Sequence, residues 1–246
     1  MNLPTKISDW IKEKVEIAGA KGCVVGLSGG VDSSAVAVLC KKAFPKTTLG
    51  LLMPCFSNPE DAKHAKDLAE KFKIETYEAK LDDTLNSFYH ALEGKKCSPD
   101  DKDLATVNLR PRLRMTALYY FANKLNYLVV GTGNKSEIVM GYFTKYGDGG
   151  VDLEPLGGLL KKEVRSLAIE LGVPQEIIEK HPSAGLWHGQ TDEGEMGITY
   201  DELDKIIEAI EQGNEKECNP AMCNKVKQRM LASAHKAAAP PIFEIK

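Results

Sequence analysis

Ile7, Trp10, Ile11, Val15 and Ala18 recur at helical spacing with Lys and Glu between them, so an amphipathic helix is predicted to open the chain and to end near Gly19. Cys23 to Leu27 is a short apolar run that stops at Ser28-Gly29-Gly30 and passes into a helix-like stretch, Asp32 to Cys40. Strand, turn, helix is the simplest reading. The alternation repeats. Thr48 to Met53 reads as a strand, and Asn58-Pro59-Glu60-Asp61 offers an N-cap, a first-turn proline and early acids for a helix reaching Phe72. Ile74 to Ala79 alternates like a strand, Leu81 to Leu92 is helical, and Lys95 to Asp103 is a polar loop. Leu104 to Asn126 has helical periodicity with a kink or restart expected at Pro111, followed by a buried strand at Tyr127 to Val130. Gly141 to Gly158 is glycine-rich and polar, a candidate functional loop. Beyond it lie helical stretches at Leu160 to Leu171, Tyr200 to Gln212 and Ala221 to Ala234, with a His/Gly-rich loop from Pro182 to Gly197.

Four strands alternating with helices predict an α/β fold, a doubly wound parallel sheet flanked by helices in the Rossmann-like manner. One domain over residues 1–246 suffices. A sheet order of 3-2-1-4 would reverse between the first and fourth strands, which is where ligands bind in such sheets.

Composition narrows the function classes. The 32 Lys+Arg against 35 Asp+Glu give a formal net charge of -3, which argues against a nucleic-acid surface. The longest stretch without Asp, Glu, Lys or Arg, Thr47 to Pro59, is shorter than the ~18 apolar residues of a membrane span. Met1 to Glu16 has no apolar signal core, so no membrane is expected and the cytoplasm is the default location. Six scattered cysteines make no disulfide scaffold; Cys23 and Cys40 read as buried small hydrophobes, and Cys218 and Cys223 lack the further ligands of a zinc site.

The most informative segment is Gly26-Leu27-Ser28-Gly29-Gly30-Val31-Asp32-Ser33, a strand-to-helix turn. Glycines let the backbone approach an anion, and the N–H groups that start the next helix supply donors, so a phosphate is expected there. The loop has neither the Lys-Ser/Thr of a Walker A motif nor G-x-G-x-x-G spacing. A carboxylate beside phosphates is repulsive unless a cation lies between them, so Asp32 implies Mg2+. Across the expected switch point the segment Gly131-Thr-Gly-Asn-Lys-Ser-Glu137 brings Thr132 and Glu137 to face Ser28 and Asp32, and Glu137 becomes the second candidate metal ligand. Arg110, Arg112 and Arg114, with Lys145, Asp148 and Asp152 of the glycine-rich loop, suggest a second anionic ligand. Arg112 lies about 200° around a helix from its two neighbours, so not all three arginines can serve it.

Ser-Gly-Gly-x-Asp-Ser resembles the pyrophosphate loop of the ATP pyrophosphatase superfamily. Together with Asn108-Leu-Arg-Pro-Arg-Leu-Arg-Met115, Gly131 to Glu137, Gly141-Tyr-Phe-Thr-Lys-Tyr-Gly-Asp-Gly-Gly150, Pro155-Leu-Gly-Gly-Leu-Leu-Lys-Lys162 and His235-Lys236, it makes nearly the whole chain similar to the NAD synthetase family. The resemblance implies a ligase in which ATP adenylates the carboxylate of deamido-NAD and ammonia displaces AMP. It implies ATP on Gly26 to Ser33, Thr132, Lys161 and Ser183, and Mg2+ on Asp32 and Glu137. It implies deamido-NAD on Arg112, Tyr119, Lys145, Asp152, His235 and Lys236. Lys161 would neutralise charge at the α-phosphate, and Asp148 is the candidate to bind ammonium and accept its proton. The family also implies a homodimer, to which the N-terminal helix could contribute, and a chain without room for a glutaminase domain, hence free ammonia as the nitrogen source. Competing readings are another amidating or tRNA-modifying ATP pyrophosphatase and a non-catalytic ATP-sensing module.

Overall fold

The fold is that of a computed structural model, which describes residues 2–187 and 189–244. Its elements run α1 (Leu3–Ile17), β1 (Cys23–Gly26), α2 (Val31–Ala43), β2 (Thr48–Leu52), α3 (Pro59–Phe72), β3 (Glu75–Glu78), α4 (Asp82–Glu93), α5 (Leu104–Val107), α6 (Leu109–Leu125), β4 (Leu128–Val130), α7 (Lys135–Met140), α8 (Lys161–Leu171), α9 (Gln175–Glu179), α10 (Asp192–Met196), α11 (Tyr200–Gln212), a 3-10 turn (Glu215–Glu217) and α12 (Pro220–Ala237). The four strands form one parallel sheet in the order β3-β2-β1-β4, as the alternation predicted, with Val24 opposite Leu49 on one side and Val129 on the other.

Side chains alternate across the central strands. Cys23 and Val25 of β1 join a cluster with Ile11 and Val15 of α1, Val36 and Leu39 of α2, and Val164 and Leu167 of α8. Val24 points the other way, with Leu49 and Leu51, toward Leu85 and Tyr89 of α4 and Ala122 of α6. Both faces of β1 are thus covered, which is why its sequence is a continuous apolar run. A third cluster, with Met140, Leu160, Tyr200, Leu203, Ile206 and Val226, packs α7, α11 and α12 beside the carboxyl ends of the strands.

Local chemistry sets the element ends. Asn58 caps α3 by accepting from the Glu60 N–H at 3.0 Å, with Pro59 in the first turn. The helix predicted from Leu104 does restart, at Asn108 rather than at Pro111. Breaking there puts Pro111 in the first turn of α6, where its missing N–H leaves no bond unmade. Two five-residue helices, α9 and α10, add to the predicted elements; α10 lies inside the loop predicted from Pro182 to Gly197.

The apolar stripe of α1 turns mainly to the chain's own core. Ile11 and Val15 are fully buried, and Ile7 and Trp10 pack on the same cluster. Leu3 and Ile17 of α1 remain exposed, and further exposed apolar residues lie on β3, α4 and α6, at Tyr77, Phe88, Leu92 and Tyr120. Among the described residues no helix is long and apolar enough to cross a membrane.

Candidate active site

A crevice of about 870 Å³ opens at the carboxyl ends of β1 and β4, where the strand order reverses. Gly26, Leu27, Ser28, Gly30, Val31, Asp32 and Ser33 form one wall; Thr132, Glu137, Lys161, Ser183 and Asp192 lie on others. The loop from Gly26 is internally braced: Ser33 Oγ donates to Gly30 O at 3.0 Å, and the Ser28 N–H donates to Ser33 Oγ at 3.3 Å. No side chain caps α2, so its first N–H groups remain for a ligand. Gly29 is not on the wall. Its φ is 77°, and a Cβ there would stand 2.2 Å from Asp61 O, so this glycine makes the turn possible.

Asp32, at the start of α2, and Glu137, at the third position of α7, converge as the strand order predicted. Between them stands the ammonium of Lys161, 2% exposed, donating to Asp32 Oδ2 at 2.5 Å and to Glu137 Oε1 at 3.2 Å. Asn134 ties the two acids together. Its Nδ2 donates to Asp32 Oδ1 at 2.9 Å, its Oδ1 accepts from the Glu137 N–H at 3.0 Å, and its own N–H donates to Glu137 Oε2. The N-terminal capping box of α7 is therefore also the frame of the site. Lys161 is positioned from its backbone: its N–H donates to Ser136 Oγ at 3.0 Å, which donates to the buried Asp204 of α11.

Tyr200 closes the back of this cluster. It is 1% exposed, its ring centroid lies 4.9 Å from Lys161 Nζ, and its hydroxyl is 3.0 Å from Asp192 Oδ2 and 3.2 Å from Glu137 Oε1. Burial pushes the Glu137 carboxyl up to about 7 against the pull of Lys161. Burial works to lower the Lys161 ammonium, but Asp32 and Glu137 outweigh it and hold it above the ordinary lysine value.

The remaining candidates separate. Of the three arginines, Arg112 and Arg114 line the crevice and Arg110 does not. Arg114 donates to Met53 O and Ser57 Oγ, and the fully buried Arg110 donates to Pro99 O and Leu186 O. Lys145, Asp148, His235 and Lys236 also line the crevice. Lys145 Nζ donates to His235 O at 2.5 Å, Lys236 Nζ to Gly141 O and Phe143 O, and Asp148 Oδ1 accepts from the Thr144 N–H. The glycine-rich loop and the end of α12 are thereby joined.

Tyr119 and Asp152 are not among the residues that line the crevice of the single chain. Tyr119 donates to Asp152 Oδ1 at 3.0 Å, while Asp152 Oδ2 accepts from the Val129 N–H, so the pair braces β4 from outside. Asn134 and Glu137 carry an Asn-x-x-Glu cap signal in the sequence itself. Tyr200 and Asp192 carried no signal, since an aromatic and an acid at a helix start are ordinary.

Among the described residues no group of three or more His, Cys, Asp or Glu side chains could hold a metal ion. Asp32 and Glu137 nonetheless suit Mg2+, which takes hard oxygen ligands and is held by one or two carboxylates plus substrate phosphates. Both present an oxygen to one cationic point, now filled by Lys161 Nζ.

Fold and site together define a doubly wound α/β nucleotide-handling domain, with an anion cradle at the switch point and a cation-binding carboxylate pair beside it. Residues 3–240 match the NAD synthase family, and the chain belongs to that family. It is 49% identical to the NH(3)-dependent NAD(+) synthetase of Carboxydothermus hydrogenoformans over 96% of this chain and 95% of that protein. The structure of NMN synthetase from Francisella tularensis superposes with a TM-score of 0.87 at 35% identity, covering 98% of both chains. That of NH3-dependent NAD synthetase from Campylobacter jejuni, in complex with the nitrate ion, gives 0.83 at 31% identity over 99% of this chain and 100% of that one.

Proposed function

We propose that this protein is a C–N bond-forming ligase that amidates deamido-NAD with ammonia at the expense of ATP, giving NAD, AMP and pyrophosphate. The observation that carries the reading is the Asp32–Lys161–Glu137 cluster beside the anion loop, in a chain of the NAD synthase family. The substrate carboxylate attacks the α-phosphorus of ATP, pyrophosphate leaves, and ammonia attacks the acyl-adenylate to expel AMP. No protein nucleophile is required. The loop Gly26 to Ser33 cradles the phosphates through the free N–H groups that start α2, with Thr132 and Ser183 on the facing walls, and Lys161 offsets charge that grows at the α-phosphate. Mg2+ would be held by Asp32 and Glu137 and would neutralise the leaving pyrophosphate. Arg112, Lys145, His235 and Lys236 form the cationic rim for the dinucleotide, and Asp148 binds ammonium and accepts its proton.

Tyr119 and Asp152 meet deamido-NAD in this reading only if a second subunit supplies the facing wall. A homodimer through β3, α4 and α6 is supported by the exposed Tyr77, Phe88, Leu92 and Tyr120. The chain acts as a single domain on free ammonia, and its six free cysteines suit the reducing cytoplasm.

The likeness to a protein called NMN synthetase favours a second reading, in which the mononucleotide acid is amidated instead. Incubation with Mg2+, ATP, ammonium and either acid, following AMP and amidated product, separates the two. Deamido-NAD is expected to be preferred by at least about tenfold in kcat/KM. A preference for the mononucleotide moves the substrate, and no AMP with either acid contradicts the ligase reading.

A further inference from the structure

Asp192 has no place in the proposed mechanism, yet it lies on the crevice wall only 4% exposed, and its Oδ1 is buried with no hydrogen-bond partner among the described residues. A buried carboxylate oxygen left unpaired is costly, and such an atom calls for an explanation. Its other oxygen, Oδ2, accepts from the Tyr200 hydroxyl at 3.0 Å, and the Tyr200 ring is the surface against which the Lys161 ammonium rests, 4.9 Å from its centroid. Lys161 and Asp192 thus touch one aromatic side chain.

The charges around Tyr200 do not balance. Asp32, Glu137 and Asp192 are three carboxylates served by one ammonium. The deficit is what a divalent cation would fill, and the place such an ion would take, within reach of Asp32 Oδ2 and Glu137 Oε1, is the place of Lys161 Nζ. An ammonium and a metal ion cannot share that point. Lys161 is the first residue of α8, and its backbone is fixed through Ser136 while its four-carbon stem keeps several rotamers.

Resting on the metal-assisted reading of the site, we propose that Lys161 is a two-position lysine: its ammonium stands between Asp32 and Glu137 in the free protein and turns to Asp192 Oδ1 when a divalent cation arrives with the nucleotide. The ammonium keeps the two acids from repelling each other before the substrate binds. After the exchange it stays in the crevice, paired with Asp192 and free to face the phosphates. Burial raises the Asp192 carboxyl, and the nearby Lys161 ammonium opposes the rise. Asp192 is a positioning residue in this scheme, acting through Lys161.

The test is calorimetric binding of α,β-methylene-ATP, with Mg2+ and with a chelator, to the full-length protein and to Asp192→Asn, which keeps the Tyr200 hydrogen bond and loses the charge. The expected result is an unchanged metal-free affinity and a loss of about tenfold in the gain that Mg2+ confers. Equal losses with and without Mg2+ would mark Asp192 as a scaffold residue and overturn the proposal, as would a full Mg2+ gain in the variant. If the unaltered protein itself gains nothing from Mg2+, the metal-assisted reading fails and takes the proposal with it. A crystal structure of the unaltered protein with Mg2+ and the analogue gives a second measurement that no folding defect can confuse. Lys161 Nζ is expected within hydrogen-bond distance of Asp192 Oδ1; an ammonium still between Asp32 and Glu137 refutes the exchange.

Discussion

Lys161 Nζ lies 2.5 Å from Asp32 Oδ2, joining the first residue of α8 to the first turn of α2 across 129 positions of the chain. Buried pairs of this kind are weak evidence for stability, because desolvation offsets most of the attraction, but removing one partner strands the other. Lys161→Met is therefore expected to lower stability by about 3–5 kcal/mol in metal-free buffer. Part of the loss should be recovered when Mg2+ is added, because the ion can take the place of the ammonium. Thermal unfolding with and without Mg2+ checks both statements, and a variant as stable as the parent would show that the pair is not structurally coupled.

Glu154 supplies a pH signature of its own. Its Oε2 accepts from the Gly133 N–H at 3.1 Å behind the loop that follows β4, and burial, opposed by that hydrogen bond and reinforced by Glu137 and Asp148, pushes the carboxyl up to about 8. Between the ordinary value of 4.5 and about 8 the folded chain holds a proton that the unfolded chain has released, so stability falls as pH rises through this window. Glu154→Gln keeps an acceptor for Gly133 and removes the charge. It should flatten the decline and raise stability above pH 8 by about 1–2 kcal/mol, allowing for partial exposure. Denaturant melts across this pH range would reveal an unchanged slope if the assignment is wrong.

Gly29 and Gly158 should respond oppositely to one methyl group. Gly29→Ala forces a Cβ onto Asp61 O at a φ of 77°, whereas a Cβ at Gly158 meets nothing within 4 Å. Gly29→Ala is expected to cut kcat/KM for ATP by about 100-fold or more through distortion of the anion cradle. Gly158→Ala should remain within about twofold of the parent. Steady-state kinetics of the pair distinguishes loop geometry from a general sensitivity of glycines.

Arg110 ties together segments of the crevice rim. Its guanidinium donates to Pro99 O at 2.8 Å and to Leu186 O, and rests on the Phe56 ring with its centroid 5.6 Å away. Arg110→Met should destabilise by about 1–3 kcal/mol and raise KM for ATP more than it lowers kcat. Limited proteolysis near Pro99 and Leu186 should accelerate, and unchanged cleavage would mean the segments hold without the tie.

The sheet was legible because each strand is buried on both faces or bounded by turn residues. The order 3-2-1-4 then led from Ser28-Gly29-Gly30 and Asp32 to the loop after β4, and so to Glu137. The angle around the helix did not decide which arginines meet the crevice, since Arg112 and Arg114, about 200° apart, both line it. What escaped reading depends on partners far along the chain. Tyr200 meets Glu137 across 63 positions, and Asn134 reaches Asp32 across 102, so neither pairing leaves a local spacing to detect. Five-residue helices such as α10 have too few turns to show periodicity. Tyr119 looked like a platform for a flat ring, but its hydroxyl reaches an aspartate that caps the backbone of β4, a contact that only the folded chain reveals.

The central claim is that Asp32 and Glu137 act on one divalent ion during turnover of ATP with deamido-NAD. The most direct measurement is kcat/KM for AMP formation as a function of Mg2+ concentration in the parent, Asp32→Asn and Glu137→Gln. The account predicts that each substitution lowers kcat/KM by about 100-fold or more and moves half-saturation to higher Mg2+. Parental kcat/KM and an unmoved Mg2+ curve in either variant would contradict it.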